Sequence, residues 1–224
     1  MKKFLPVIVF VILAIGAYEY GLNRMVPNPD PNHTHADFAV WIGGERVDFA
    51  QEKYMTEELT ANQLQALSNS TATGSTQKVL KQYLHLHGMN GYVIHRHKPG
   101  LTLEDFFDSL SSDSNPIQFH RNVSVGINYF TFCICTQPTA FECPCAPVSV
   151  RLFVNGEEVI DGPGYVFHDG DRLLITDAVD QTEVVNELDL LTDEACMLSK
   201  TCPGRGRPPV ENCISDPMIP CIAP

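Results

Sequence analysis

Residues 36–42, Ala-Asp-Phe-Ala-Val-Trp-Ile, alternate in the manner of a half-buried strand. Gly43-Gly44 then reads as a tight turn into a return strand at 46–49, which makes a hairpin. Residues 57–67 have helix-like composition, and the Ser/Thr-rich stretch 68–76 reads as an exposed loop. Two further strands, 83–87 and 92–97, are joined by Gly88-Met-Asn-Gly91. A helix follows with a clear start: Thr102 can cap it, Asp105 stands three residues on, and Leu103, Phe106, Phe107 and Leu110 form one apolar face. Residues 148–154 alternate as a strand, Asn155-Gly156 turns it back into 157–160, and Asp169-Gly-Asp171 leads into a strand at 172–176. This order predicts an α+β fold in which one main helix packs on a mixed sheet, β-grasp-like from 83 to 176, with a disulfide-braced C-terminal tail.

The ends of the chain read differently. Lys2 and Lys3 precede an apolar run from Phe4 to Tyr18, so residues 1–24 are expected to be a membrane anchor or a cleaved secretory signal. No A-x-A-like cleavage site follows Ala17, which points to the anchor, although the run is short for a span of about 20 residues. The Pro-rich segment 25–32 is expected to be a stiff spacer. The body would be 33–187, with a Cys-rich insertion at 129–147, and 188–224 would form a Cys- and Pro-rich tail. Three N-x-S/T sequons, at Asn32, Asn69 and Asn122, carry little weight without knowledge of the host.

Charge narrows the partners. Lys and Arg number 15 against 27 Asp and Glu, a net of −12, and beyond residue 24 the balance is −14. So acidic a chain repels phosphate backbones, which argues against nucleic acid as a partner and leaves the membrane, through the N-terminal segment, as the one expected contact. Export would also place the eight cysteines in an oxidising compartment. Cys133, Cys135, Cys143 and Cys145 form a doubled C-x-C, open to cross-paired disulfides or to a four-thiolate Zn site. Cys196, Cys202, Cys213 and Cys221 read as two more disulfides of undetermined pairing.

The histidines carry the strongest chemical signal. Six of eight fall in H-x-H pairs: His33/His35, His85/His87 and His95/His97. Composition alone predicts roughly 0.3 such pairs. A spacing of two on a strand points both rings to one face, so one strand can offer two nitrogens to one ion. Imidazole suits Zn and Cu, and six ligands would serve one ion or two. Asp37 continues the parity of His33 and His35 and is a candidate to orient a ligand ring. His120 and His168, unpaired, read as structural or exposed. Nucleotide-loop, nucleophile-elbow, H-E-x-x-H and C-x-x-C-H patterns are absent, and Asp169-Gly-Asp171 reads as a strand turn rather than a Ca²⁺ loop.

His33-Thr-His35-Ala-Asp-Phe38, Val47-Asp-Phe49, His85-Leu-His87, Gly91-Tyr-Val-Ile-His95-Arg-His97 and Gly100-Leu-Thr-Leu with Phe106-Phe107 together resemble a family of small exported or membrane-anchored prokaryotic proteins with repeated H-x-H motifs. The likeness spans about residues 33–176, and the run from Cys196 to Cys213 is similar to tails in some members. It implies an exported H-x-H domain and supplies no activity. Some members carry a protein-disulfide-isomerase label, but this chain has no C-x-x-C.

The expected function is therefore a membrane-tethered, exported metal-binding protein holding Zn or Cu on His33, His35, His85, His87, His95 and His97. A metal-dependent hydrolase or oxidase, using a metal-bound water and a base such as Asp37, is the enzymatic alternative. A disulfide-braced interaction module is the third, and a thiol oxidoreductase the fourth.

Overall fold

The computed structural model describes residues 11–12, 16, 25–30, 32–56, 75–112, 116–121, 129–134 and 147–206. These form one mixed nine-stranded sheet. In chain order the strands are β1 Thr34–Ile42, β2 Glu45–Arg46, β3 Leu84–His85, β4 Val93–Arg96, β5 Ile117–Arg121, β6 Phe130–Ile134, β7 Val148–Val154, β8 Glu157–Val159 and β9 Asp171–Thr176. The spatial order is β3-β4-β1-β9-β7-β6-β5, with β2 on β1 and β8 on β7. β1 lies inside the sheet, antiparallel to β4 and parallel to β9, where Ala36 faces Asp171 and Trp41 faces Thr176. Among the described residues four α-helices join it: α1 Ser75–Tyr83, α2 Leu103–Leu110, α3 Gln181–Asp189 and the single-turn α4 Ala195–Leu198.

The period of two along β1 sorts its residues onto two faces. Ala36, Phe38 and Val40 join the main core, an aromatic cluster that includes Phe49, Phe106, Phe107, Phe119, Phe130 and Phe132. α2 supplies Phe106 and Phe107 to it. Thr102 starts that helix as expected, through a capping box in which its hydroxyl accepts from the Asp105 amide and the Asp105 carboxylate accepts from the Thr102 amide. The Phe107 ring meets Phe119 and Phe132 edge-on at 5.5 and 5.1 Å. On the opposite face, Ala39 packs with Phe153, Leu174, Val184 and Leu191 under α3. His35 and Asp37 belong to that second face by parity.

Several sequence expectations change in detail. The hairpin after Gly43-Gly44 forms, but its return strand is only Glu45–Arg46. The region expected to be a Cys-rich insertion begins with a core strand. β6 pairs with both β5 and β7, and its Phe130 and Phe132 are fully buried. The hydrophobic pattern predicts neither β5 nor α3, and α3 runs across the expected 187/188 boundary. α1 begins at Ser75, inside the expected loop, and continues to Tyr83, the expected first residue of a strand. The rest of that loop and the helix at 57–67 lie outside the described residues.

Residues 25–30, expected to be a spacer, touch both the tail and the first histidine: the Val26 amide donates to the Thr201 carbonyl at 2.8 Å and Asn28 Nδ2 to the His33 carbonyl at 2.9 Å. Most of the apolar run 4–18 lies outside the described residues. Among the described residues no helix is long and apolar enough to cross a membrane.

Candidate metal centre

Three adjacent strands build the site. Register places His35 opposite His95, and His95 opposite His85. His33 and His87 lie just beyond their strand ends, and His97 just past β4. All six share one parity, so all six rings project from the face opposite the aromatic core, whose neighbouring positions Leu84, Leu86, Ile94 and Ala36 are buried on the other side.

The rings touch in a closed circuit. Centroid separations are 4.4 Å for His33 to His35, 4.6 Å for His35 to His95 and 4.1 Å for His95 to His87. The circuit returns through His85 at 5.7 Å, His97 at 4.9 Å and back to His33 at 4.1 Å. His95 also stacks on His85 at 5.7 Å. Of the six, His33, His35 and His95 each offer a ligand atom within 4.8 Å of the others, a group that can hold a metal ion. His35, His95 and His97 are at most 2% exposed.

Burial pushes the His95 and His97 rings well below the ordinary imidazole range, and the surrounding imidazoles push them further by like-charge repulsion. A neutral ring is the metal-ligating form, so the fold itself keeps these two in the state a cation needs.

No family model, no curated protein and no solved structure matches this chain. The chemistry of the site therefore rests on its own geometry. Its outer contacts differ from those expected. The carboxylate of Asp37 accepts from the Thr192 hydroxyl at 2.6 Å and from the Glu194 and Ala195 amides at 2.8 and 2.9 Å. It fastens the start of α4 to β1, with both oxygens committed there.

The contact to a ligand ring is made by residues the sequence did not single out for the site. His35 Nδ1 lies 2.7 Å from Ser199 Oγ, and Ser199 Oγ donates to Asp169 Oδ1. The same Asp169 oxygen accepts the His35 amide at 3.0 Å, while the His35 carbonyl accepts the Gly170 amide at 2.8 Å. Sequence offers no local signal for these partners, since Ser199 is 164 residues from His35.

The two unpaired histidines stay outside the ring circuit. His120 pairs with Glu104 at 2.6 Å on the α2 side, and His168 is mostly exposed beside Asp171.

A disulfide joins Cys196 to Cys202, two of the four cysteines expected to brace the tail. It encloses Ser199. Cys133 is disulfide-bonded as well. Cys135, Cys143, Cys145, Cys213 and Cys221 lie outside the described residues.

Proposed function

We propose that the chain is an exported, membrane-tethered metal-binding protein whose H-x-H histidines hold Zn or Cu. The observation that carries this reading is the convergence of all six imidazoles, from three neighbouring strands, into one ring circuit containing a triad of ligand distance. Packing six cationic rings in one buried patch would be costly, and a bound cation shared by neutral rings removes that cost.

An all-nitrogen donor set fits a borderline ion such as Zn(II) or Cu(II) better than Ca²⁺ or Mg²⁺, which take oxygen. The burial of His35 and His95 restricts solvent at the site, which favours holding an ion over turning over a metal-bound water. Tethering is supported by the Lys2-Lys3 and apolar opening of the chain. The likeness of its motifs to exported H-x-H proteins points the same way, and the helix laid on a mixed sheet supports a β-grasp-like arrangement.

The full chain, purified at neutral pH, should carry bound transition metal by inductively coupled plasma mass spectrometry. Replacing His95, whose ring contacts those of His33, His35, His85 and His87, by Ala should remove most of that metal. Metal-free wild-type protein after reconstitution with Zn(II) or Cu(II), or an H95A protein as loaded as the wild type, would sink the proposal.

A further inference from the structure

Ser199 has a single hydroxyl proton, and a carboxylate can only accept. Ser199 donates that proton to Asp169, so towards His35 its oxygen is left with lone pairs alone. The 2.7 Å contact must therefore carry a proton from the ring: His35 is protonated at Nδ1, and in the neutral ring that leaves the lone pair on Nε2. The Asp169 carboxylate closes the unit from the other side by also accepting the His35 amide at 3.0 Å. One aspartate thus fixes the backbone of His35 directly and its ring through a serine.

The arrangement is not a nucleophile triad. In one of those the imidazole accepts the serine proton, whereas here that proton is committed to the carboxylate. Ser199 is also 3% exposed.

We propose that Ser199 and Asp169 are positioning residues for the metal centre, holding His35 in its Nδ1–H tautomer so that Nε2 is its ligating nitrogen. This rests on the metal-binding reading for its purpose, and on hydrogen-bond geometry for its content. A ligand ring whose second nitrogen donates to a fixed acceptor is held in one tautomer and orientation, and loss of such a partner typically costs about 10- to 100-fold in metal affinity. Both partners come from outside the three histidine strands. Asp169 lies in the turn that enters β9, and Ser199 caps the C-terminus of α4 within the Cys196–Cys202 loop. Asp169 reads from sequence as an ordinary turn residue, and the geometry gives that turn a second task.

The test has two arms on the full chain. In the metal-stripped wild-type protein, long-range proton–nitrogen-15 correlation spectra should show His35 with Nδ1 protonated and Nε2 unprotonated. Ser199→Ala should lose that single-tautomer signature and Ser199→Thr should restore it. In the second arm, Zn(II) affinity measured against a competing chelator should fall about 10- to 100-fold in S199A and stay within about threefold of wild type in S199T.

An Nε2–H tautomer in the wild type would overturn the proposal, and that measurement needs no variant to fold. So would an S199A protein with wild-type tautomer and affinity. If wild-type protein binds no Zn(II) or Cu(II), the metal reading fails, and the tautomer arm still decides whether Ser199 positions His35.

Discussion

At the scale of single residues, the histidine site is shaped by what surrounds each ring rather than by ring identity. His95 sits between His35 and His85 on the ladder and is buried among imidazoles, so its charged form is disfavoured twice, by lost hydration and by its neighbours. His97 is held the same way. In the unfolded chain both rings would take up a proton near pH 6.5. In the folded, metal-stripped chain they resist it, so below that pH the unfolded state binds more protons than the native one.

The sign follows: this part of the stability is fully present above about pH 6.5 and is lost as pH falls. The loss is as much as about 1.4 kcal/mol per pH unit for each ring that titrates only on unfolding. Urea denaturation of the stripped protein at pH 7.5, 6.5 and 5.5 should show the midpoint falling over the last step, and His97→Gln should flatten that step. A midpoint independent of pH would contradict it.

At the scale of elements, alternation along β1 and β4 was readable, and with it the shared face of the H-x-H pairs, because period-two parity is a property of one short segment. Partners across the sheet were not. β6 hid because its alternating Phe130 and Phe132 run straight into a stretch dominated by the cysteines from Cys133 onward, and β5, with Ile117 and Phe119, is a short strand whose only ladder partner among the described residues is β6. Asp37 follows the right parity to meet a histidine, yet its oxygens accept from the amides at the start of α4, which have no intrahelical acceptor at any helix start. No local pattern announces such a competition.

α3 was equally hidden, and it contains a local conflict. Its Glu187 is 3% exposed, and its carboxyl is raised above the ordinary range, first by burial and then by Glu183 and Asp177, with Thr176 and Arg151 offsetting only part. A carboxyl with a raised folded-state pKa favours the fold below its unfolded value and loses that contribution as pH rises through the folded one. Glu187→Gln should therefore raise the denaturation midpoint at pH 8 and change it little at pH 4. Equal shifts at both pH values would show that packing, not charge, dominates at this position.

At the scale of the whole molecule, the two faces of the sheet have separate means of support. The aromatic core under α2 is contiguous and built from strands across the sheet, with Phe38, Phe119, Phe130 and Phe132 all buried in it. The histidine face is held by chain from both ends. Val26 bonds Thr201, Asn28 bonds the His33 carbonyl, Asp37 grips the start of α4, and the Cys196–Cys202 loop carries Ser199 to His35. Closing so short a loop restricts the unfolded chain by only about 2 kcal/mol, but that restriction acts where the ring of His35 is set.

The two supports should therefore separate experimentally. A Cys196→Ala, Cys202→Ala double variant is the right probe, because a chemical reductant would also open the bond at Cys133. It should keep cooperative unfolding and its far-ultraviolet spectrum, while Zn(II) affinity measured by chelator competition falls about tenfold, the equivalent of about 1.4 kcal/mol. Wild-type affinity in that variant would mean the loop merely covers the site. Collapse of the whole fold would mean the two faces are one cooperative unit, and that the tail stabilises the core as well as the histidines.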